Sequence, residues 1–251
     1  MNTGLALGSG AARGFAHIAV IEKLIKEKVI IEEISGTSIG AIVAAYYALN
    51  LDIDSLEKKI AKLSKRQWLE LIDLNNIKKS FIKGKKVKKF LHEHFFGDST
   101  FRQTKIPLIV CATDLDKRKA HYFRSGKILD AVMASISIPG IFPPYTDKHF
   151  IDGGIFNPVP TDVLNCKKII GVNINHVRPK KKEYSTRLVL TETFYIMLEN
   201  LTKEPADNVF LISPSFKSGS AINFVNWKQN YLTGKREINR IWPKLKQWLN
   251  Q

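Results

Sequence analysis

Gly4-Leu5-Ala6-Leu7-Gly8-Ser9-Gly10-Ala11-Ala12-Arg13-Gly14-Phe15 is the stretch whose reading decides the fold. Gly4 to Leu7 is a short apolar run with the look of a buried strand. Gly8 to Gly14 is a loop of small residues. Phe15 to Lys28 then places Phe15, Ile18, Ile21 and Ile25 at helical spacing. Working outward, Ile30 to Ser35 reads as a second strand. A tight turn, Gly36-Thr37-Ser38-Ile39-Gly40, opens a second helix running to about Asn50. Strand, loop, helix, strand, turn, helix is the start of a parallel sheet with crossover helices, so the fold class is α/β.

Beyond this nucleus, Asp52 to Leu63 reads as a helix. Lys78 to Lys89 carries seven lysines in 12 residues, with Phe81, Val87 and Phe90 nearby. That pattern fits a solvated amphipathic segment, and also a lid or membrane contact. Leu108 to Thr113 and Ala120 to Phe123 read as strands joined by a turn. Ile128 to Ser135 reads as a helix. Pro139, Pro143 and Pro144 enforce an extended loop before Phe150-Ile151-Asp152. Lys168 to Asn173 and Val209 to Ile212 are further strands, with a helix expected near Leu188 to Leu201. In the final stretch, Trp227 to Leu249, Tyr231, Ile238, Ile241, Leu245 and Leu249 share an apolar side. Packing against the domain is favoured over a membrane-surface helix there, and Pro243 is expected to interrupt it. No repeat or linker divides the chain. The organisation expected is one domain over 1–251, with a basic helical insertion at about 52–103 and a C-terminal helical segment at about 227–250.

The composition excludes several classes. The chain has 251 residues, 44% apolar and 25% charged, which are globular rather than disordered or collagen-like proportions. Its two cysteines build no disulfide framework and fit a reducing compartment. No Cys/His cluster has zinc spacing, and no carboxylate-rich loop calls for calcium. The longest apolar stretch, Ile39 to Leu49, is 11 residues, against about 20 needed to span a bilayer. No secretory signal opens the chain, so a cytoplasmic location is expected. The net charge of +16 favours an anionic partner. No helix-turn-helix or RNA-binding aromatic pattern is present, so nucleic acid is not expected.

Three places carry chemistry. In Gly36-x-Ser38-x-Gly40 the glycines allow a sharp strand-to-helix turn that exposes the Ser38 hydroxyl at a helix N-terminus. Only one βαβ unit fits before Ser38, too little for a Ser-Asp-His α/β-hydrolase, and none of the six histidines sits in a context that marks it as the base: His17 reads as packed in the first helix, and His176, after a strand end, is an outside candidate. Asp152-Gly153-Gly154 ends an apolar strand directly after the proline loop. An aspartate there accepts the Ser38 proton if burial raises its pKa, because the reference value of about 3.9 makes a poor base. The loop Gly8 to Gly14 offers backbone N–H groups for an oxyanion, with Arg13 holding the loop or adding charge. The same loop resembles a dinucleotide-binding turn with Glu32 and Glu33 near the ribose position. Its spacing, however, is G-x-G-x-x-x-G rather than G-x-G-x-x-G.

Taken together, Gly-Ser-Gly-Ala-Ala-Arg-Gly, Gly-Thr-Ser-Ile-Gly and the distant Asp-Gly-Gly resemble the patatin-like phospholipase family, in the bacterial branch related to neuropathy target esterase. Ala112-Thr113-Asp114-Leu115, Ala134 to Gly140 and Asn157-Pro158-Val159-Pro160 support the resemblance, which runs from about Gly4 to Ser213. It implies a three-layer α/β/α fold with a mainly parallel sheet and a catalytic dyad of Ser38 and Asp152. By motif position the oxyanion loop is Gly10, Ala11, Ala12 and Arg13, the elbow glycines are Gly36 and Gly40, and the base motif continues through Gly153 and Gly154. The chain departs from the family's triple glycine, reading Ser9-Gly10-Ala11. Ala11 then has to take a φ allowed to a residue with a side chain.

The function expected is hydrolysis of lipid esters, phospholipid or lysophospholipid, through an acyl-enzyme. No cofactor or metal is called for. Peripheral contact with an anionic membrane suits the charge. Two other readings stand beside it: an NAD(P)-binding oxidoreductase using the first loop, and a non-catalytic basic membrane-binding module.

Overall fold

The computed structural model describes residues 3–72, 80–175, 177–178, 206–217 and 224–251, with seven further positions between 189 and 201. β1 (Thr3–Leu7) is buried along its whole length. It lies between β2 (Ile31–Thr37) and β6 (Lys168–Val172), parallel to both. β3 (Leu108–Asp114) adds beside β2, and β4 (Lys119–Phe123) returns antiparallel to it. β5 (Phe150–Asp152) also pairs antiparallel with β3. A minor ladder joins β7 (Val177–Arg178) to β9 (Phe216–Lys217), and β8 (Val209–Ile212) closes the far side of the main sheet. The seven-stranded sheet has the order β4-β3-β2-β1-β6-β8, with β5 off this path on β3.

That order places the functional crevice. The chain builds outward from β1 through β2 to β3, then crosses back to place β6 on the other side of β1. Parallel sheets that switch direction in this way open a crevice at the carboxyl ends of the strands around the switch. The loop after β1 and the turn after β2 both lie there.

The two faces of the sheet are covered differently. Leu5, Leu7, Ile34, Val110, Ile170 and Val172 join the main core with the helices. The alternate residues Ala6, Ile109 and Ile169 pack with Val159, Leu164 and Cys166 on the opposite face. The period of two along each strand is what sorts them. The helices against the main core are α1 (Phe15–Lys26), α2 (Ile39–Asn50), α3 (Ile53–Ala61), α6 (Ile128–Ser135) and α7 (Trp227–Asn250). This is the three-layer α/β/α fold with a mainly parallel sheet. Among the described residues its second outer layer thins to the segment 157–166.

The basic region is helical, as its pattern suggests: α3, α4 (Lys65–Ile72) and α5 (Ser80–Leu91) follow one another, then a π-turn over His92–Phe96. Lys88 is not simply solvated. It donates to Asp130 at 3.0 Å and to Tyr145 at 2.6 Å, tying α5 to α6 and to the proline loop. Lys78 and Lys79, half of the helix expected at 188–201, and His176 lie outside the described residues.

The C-terminal reading needs one correction. Pro243 does not break the last helix, and α7 runs unbroken for 24 residues. A proline removes its own N–H bond and crowds the preceding turn, and here α7 is held on both sides of it. Gly234 lies against Ala16 of α1, while Ile238, Ile241, Leu245 and Leu249 are buried. Asn230 donates to the Ala12 carbonyl at 3.0 Å and Tyr231 to Glu22 at 2.6 Å. At the far end, Lys168 caps the carbonyls of Trp248 and Leu249 at 2.6 and 2.8 Å, where a cation also meets the negative pole of the helix. The apolar side therefore packs on the domain.

The α1–α7 contact is tight enough to test. A Cβ on Gly234 would stand 2.6 Å from the Ala16 carbonyl oxygen. Gly234→Ala gains up to about 1 kcal/mol of helix propensity and loses about 1–3 kcal/mol to overpacking. The expected outcome is a net loss of about 1–2 kcal/mol in urea unfolding. An increase in stability would mean that α7 shifts without strain.

Candidate active site

Two strands meet end to end along one edge of β3. β2 runs parallel to β3 as far as the pair Thr37↔Cys111. From the next residue, the same edge is taken by β5 running the other way, with Ala112 opposite Asp152. Ser38, just past the end of β2, and Asp152, at the end of β5, are thereby brought side by side.

Ser38 sits in a sharp turn with φ 56° and ψ −122°. A residue with a side chain in this region stores on the order of 1–3 kcal/mol of strain. The flanking glycines make the turn possible by close approach. A Cβ on Gly36 would lie 2.5 Å from the Gly40 carbonyl oxygen, and one on Gly40 would lie 2.1 Å from that of Leu7. α2 thus starts directly against the end of β1. The Ser38 N–H donates to the Ser135 hydroxyl at 2.8 Å. Ser38 itself is 4% exposed.

Asp152 is buried, and burial pushes its carboxyl up to about 6. The neighbouring Ser38 hydroxyl and the Gly154 N–H draw it back down. Oδ1 accepts the Gly154 N–H at 2.8 Å. Oδ2 is left without a hydrogen bond, although the Ser38 hydroxyl is near enough to the carboxyl to lower its pKa. Such contacts often tighten only with substrate in place. The Thr113 hydroxyl holds the Asp152 carbonyl at 2.9 Å. Gly153 is required for closeness, since a Cβ there would stand 2.3 Å from the Cys111 carbonyl oxygen.

The third element is the loop after β1. Its first N–H groups are spent on the scaffold: Gly8 donates to Val172 at 3.0 Å and Ser9 to Pro158 at 2.9 Å. Gly10, Ala11 and Ala12 then present N–H groups with no hydrogen-bond partner among the described residues. Ala11 takes φ 49°, so the alanine in place of a glycine adopts the left-handed region. Arg13 differs from its neighbours. Its N–H bonds back to the Gly10 carbonyl at 3.2 Å, so it is not a free oxyanion donor. Its buried guanidinium lies over the Phe216 ring at 5.9 Å, which suits the role of holding the loop.

Comparison with known proteins gives the family. The sequence profile of the patatin-like phospholipase family matches residues 5–165, which include the loop, the elbow and the Asp-Gly-Gly. The chain belongs to that family. It is 34% identical over 176 residues to an NTE family protein of Mycobacterium bovis, covering 68% of this chain and 48% of that one. It is 31% identical over 164 residues to the lysophospholipase of Aspergillus fumigatus, covering 63% of this chain and 11% of that one. The chain thus spans about half the length of its mycobacterial relatives. Among solved structures, VipD from Legionella pneumophila superposes with a TM-score of 0.54 at 14% identity, over 97% of this chain and 67% of that one. That likeness is one of fold.

Other residues of this patatin-like site escaped the sequence reading. His17, read as a packed helix residue, has its Nε2 2.8 Å from the Gly8 carbonyl and so braces the loop. Full burial holds its pKa down at about 4, so it is neutral. Asn175 donates to the Ser9 hydroxyl at 3.4 Å. Ser135 lies within a stretch that supports the family resemblance, but nothing in the pattern singles out its hydroxyl. Of the two acids of the dinucleotide reading, Glu33 accepts the Asn165 N–H at 2.7 Å and Glu32 is exposed. Cys111 is an inert thiol, pushed up to about 12 by burial. No group of metal-ligating side chains occurs among the described residues.

The two buried titrating groups act on stability with opposite sign. Asp152 has a folded pKa of about 6, above its ordinary 3.8, so its ionisation destabilises the fold and acid relieves that cost. His17 has a folded pKa of about 4, below its ordinary 6.5, so its contribution is present above 6.5 and lost as pH falls toward 4. Each is worth on the order of 3 kcal/mol, and between pH 6 and 4 they nearly cancel. Asp152→Asn removes one side of the balance. It is expected to raise stability at pH 7.5 by about 2–3 kcal/mol and to lose stability more steeply than wild type between pH 6.5 and 4, as read by urea unfolding. Parallel pH curves for the two proteins would overturn this assignment.

Proposed function

We propose that this chain is a serine hydrolase of lipid esters, with lysophospholipid or phospholipid as substrate. The observation that carries the reading is the end-to-end meeting of β2 and β5, with Ser38 and a raised-pKa Asp152 at the junction. The family name and the printed name of the Aspergillus fumigatus relative support the substrate class.

In this reading the Ser38 hydroxyl attacks the ester carbonyl carbon as its proton passes to Oδ2 of Asp152, the carboxylate oxygen without a hydrogen bond. The carbonyl oxygen, now carrying the charge, accepts hydrogen bonds from the N–H groups of Gly10, Ala11 and Ala12. Fixed donors of this kind are worth several kcal/mol because they need no reorganisation as charge develops. The dipole of α2, whose first turn follows Ser38, favours the same negative charge. The tetrahedral intermediate collapses, the alcohol leaves with the proton held by Asp152, and the acyl group remains on Ser38. Water then attacks the acyl-enzyme with Asp152 again as base. No metal enters the sequence of steps.

A dyad with aspartate as sole base needs a carboxyl raised toward neutrality but still ionised at pH 7. A folded pKa of about 6 meets both conditions. The excess of lysine and arginine, net +16, suits contact with an anionic bilayer from which such substrates are drawn. No helix among the described residues is long and apolar enough to cross one.

The reading is tested by fluorophosphonate labelling with the adduct mapped by mass, alongside hydrolysis of a lysophospholipid. Adduct is expected on Ser38 and is expected to vanish in Ser38→Ala. Turnover is expected to fall by roughly 10³-fold or more in Ser38→Ala and by roughly 10²–10⁴-fold in Asp152→Asn. In the wild type, kcat/KM is expected to drop about tenfold per unit as pH falls below about 6. Full turnover in Asp152→Asn would sink the dyad.

A further inference from the structure

The end of α6 holds both members of the dyad by their backbones. The Ser135 hydroxyl accepts the Ser38 N–H at 2.8 Å and donates to the Cys111 carbonyl at 2.5 Å. Two residues later the Ser137 carbonyl accepts the Asp152 N–H at 2.9 Å. The Ser137 hydroxyl donates to the Met133 carbonyl at 2.9 Å, which closes the helix end on itself. Both serines are buried, at 0% and 2% exposure, so water does not substitute for either.

The Ser135 bond is made where it is most needed. The positive φ of Ser38 turns its backbone out of the β2–β3 ladder, whose last pair is Thr37↔Cys111. A buried N–H turned out of a ladder requires another acceptor. The Ser135 oxygen is that acceptor, and the same hydroxyl satisfies Cys111, the β3 residue at which β2 gives way to β5. Without it, a buried donor and a buried acceptor are both left open. The turn then relieves itself by rotating back, which carries the Ser38 hydroxyl away from Oδ2.

We infer that Ser135 is a positioning residue for the nucleophile, its hydroxyl holding the strained Ser38 backbone while the Ser137 carbonyl holds Asp152, so that the end of α6 sets the separation of the dyad. The inference rests on the dyad reading above. Ser135 bonds to the Ser38 backbone and to Cys111, so its removal bears on the chemical step and leaves substrate binding alone. A misplacement of about 1 Å at a reacting atom costs on the order of 10²-fold in rate.

The experiment starts with the wild type. Absence of a fluorophosphonate adduct on folded wild-type protein would count against the dyad itself, and so against the inference built on it. With the adduct present, Ser135→Ala is expected to lower kcat and the labelling rate by about 10–100-fold with KM unchanged. Its pH profile is expected to fall as a whole, with its midpoint at or above the wild-type value, since burial and the Gly154 N–H stay in place while the Ser38 hydroxyl that draws the Asp152 pKa down moves away. Tyr231→Phe serves as the stability control, because it cuts a bond between α7 and α1, outside the catalytic residues and the loop. It is expected to lower the melting temperature and leave kcat intact. Wild-type kcat in Ser135→Ala would overturn the inference, as would equal loss of kcat in both variants. Should Ser135→Ala fail to fold, Ser135→Cys, nearly isosteric and a weaker partner, carries the test. The same loss confined to kcat is expected there, and unchanged kcat would overturn the proposal.

Discussion

One edge of β3 is shared by two strands running in opposite directions, and the site depends on that division. β2 occupies the edge up to Cys111 and β5 occupies it from Ala112. A parallel strand and an antiparallel strand on one edge point their carboxyl ends at each other. Backbone pairing therefore fixes the approach of Ser38 to Asp152 before any side chain is considered. Everything nearby serves closeness at this junction. Gly36 and Gly40 let α2 begin against β1, and Gly153 lets the chain pass the Cys111 carbonyl.

The junction is held at a cost in stability. Asp152 is buried with one carboxylate oxygen unbonded, and Ser38 keeps an uncommon backbone conformation. Neither is what stability alone would select. The surroundings over-determine both: the Ser135 hydroxyl on one side, the Thr113 hydroxyl and Ser137 carbonyl on the other. The loop after β1 is treated alike. His17, Asn230 and Asn175 grip its carbonyls and the Ser9 side chain, which leaves the N–H groups of Gly10, Ala11 and Ala12 for a ligand. Because the histidine and the aspartate titrate with opposite effect, acid does not strip the site of stability all at once.

Much of this was legible in the residues. Gly-rich punctuation after two apolar runs announced the β1 and β2 turns, and Ile128 to Ser135 and Val209 to Ile212 fell at their observed bounds. Such features are local and periodic, so a sequence displays them. The supports were not legible, because most join residues far apart in the chain. Nothing near Ser135 reveals that its hydroxyl reaches Ser38, and nothing near Asn230 reveals the Ala12 carbonyl. The Ala11 conformation was hidden for a related reason: an alanine in the left-handed region is set by its surroundings, not by its own preference. Pro243 shows local propensity overruled by packing, since α1 holds α7 before the missing bond and Lys168 and Phe210 hold it after. In the lysine-rich stretch, composition spoke for a solvated face, while Lys88 is drawn into a cluster with Asp130 and Tyr145.

The division of the β3 edge also orders events during folding. β1, β2 and their helices are near neighbours in the chain and close their contacts over short loops. β5 arrives only after the long intervening stretch has been laid down and the proline loop has turned. Contacts of such wide sequence separation form late and slowly. A chain caught halfway therefore has its serine in the elbow and no base beside it. In the function proposed above, nucleophile and base therefore come together only once the fold is complete.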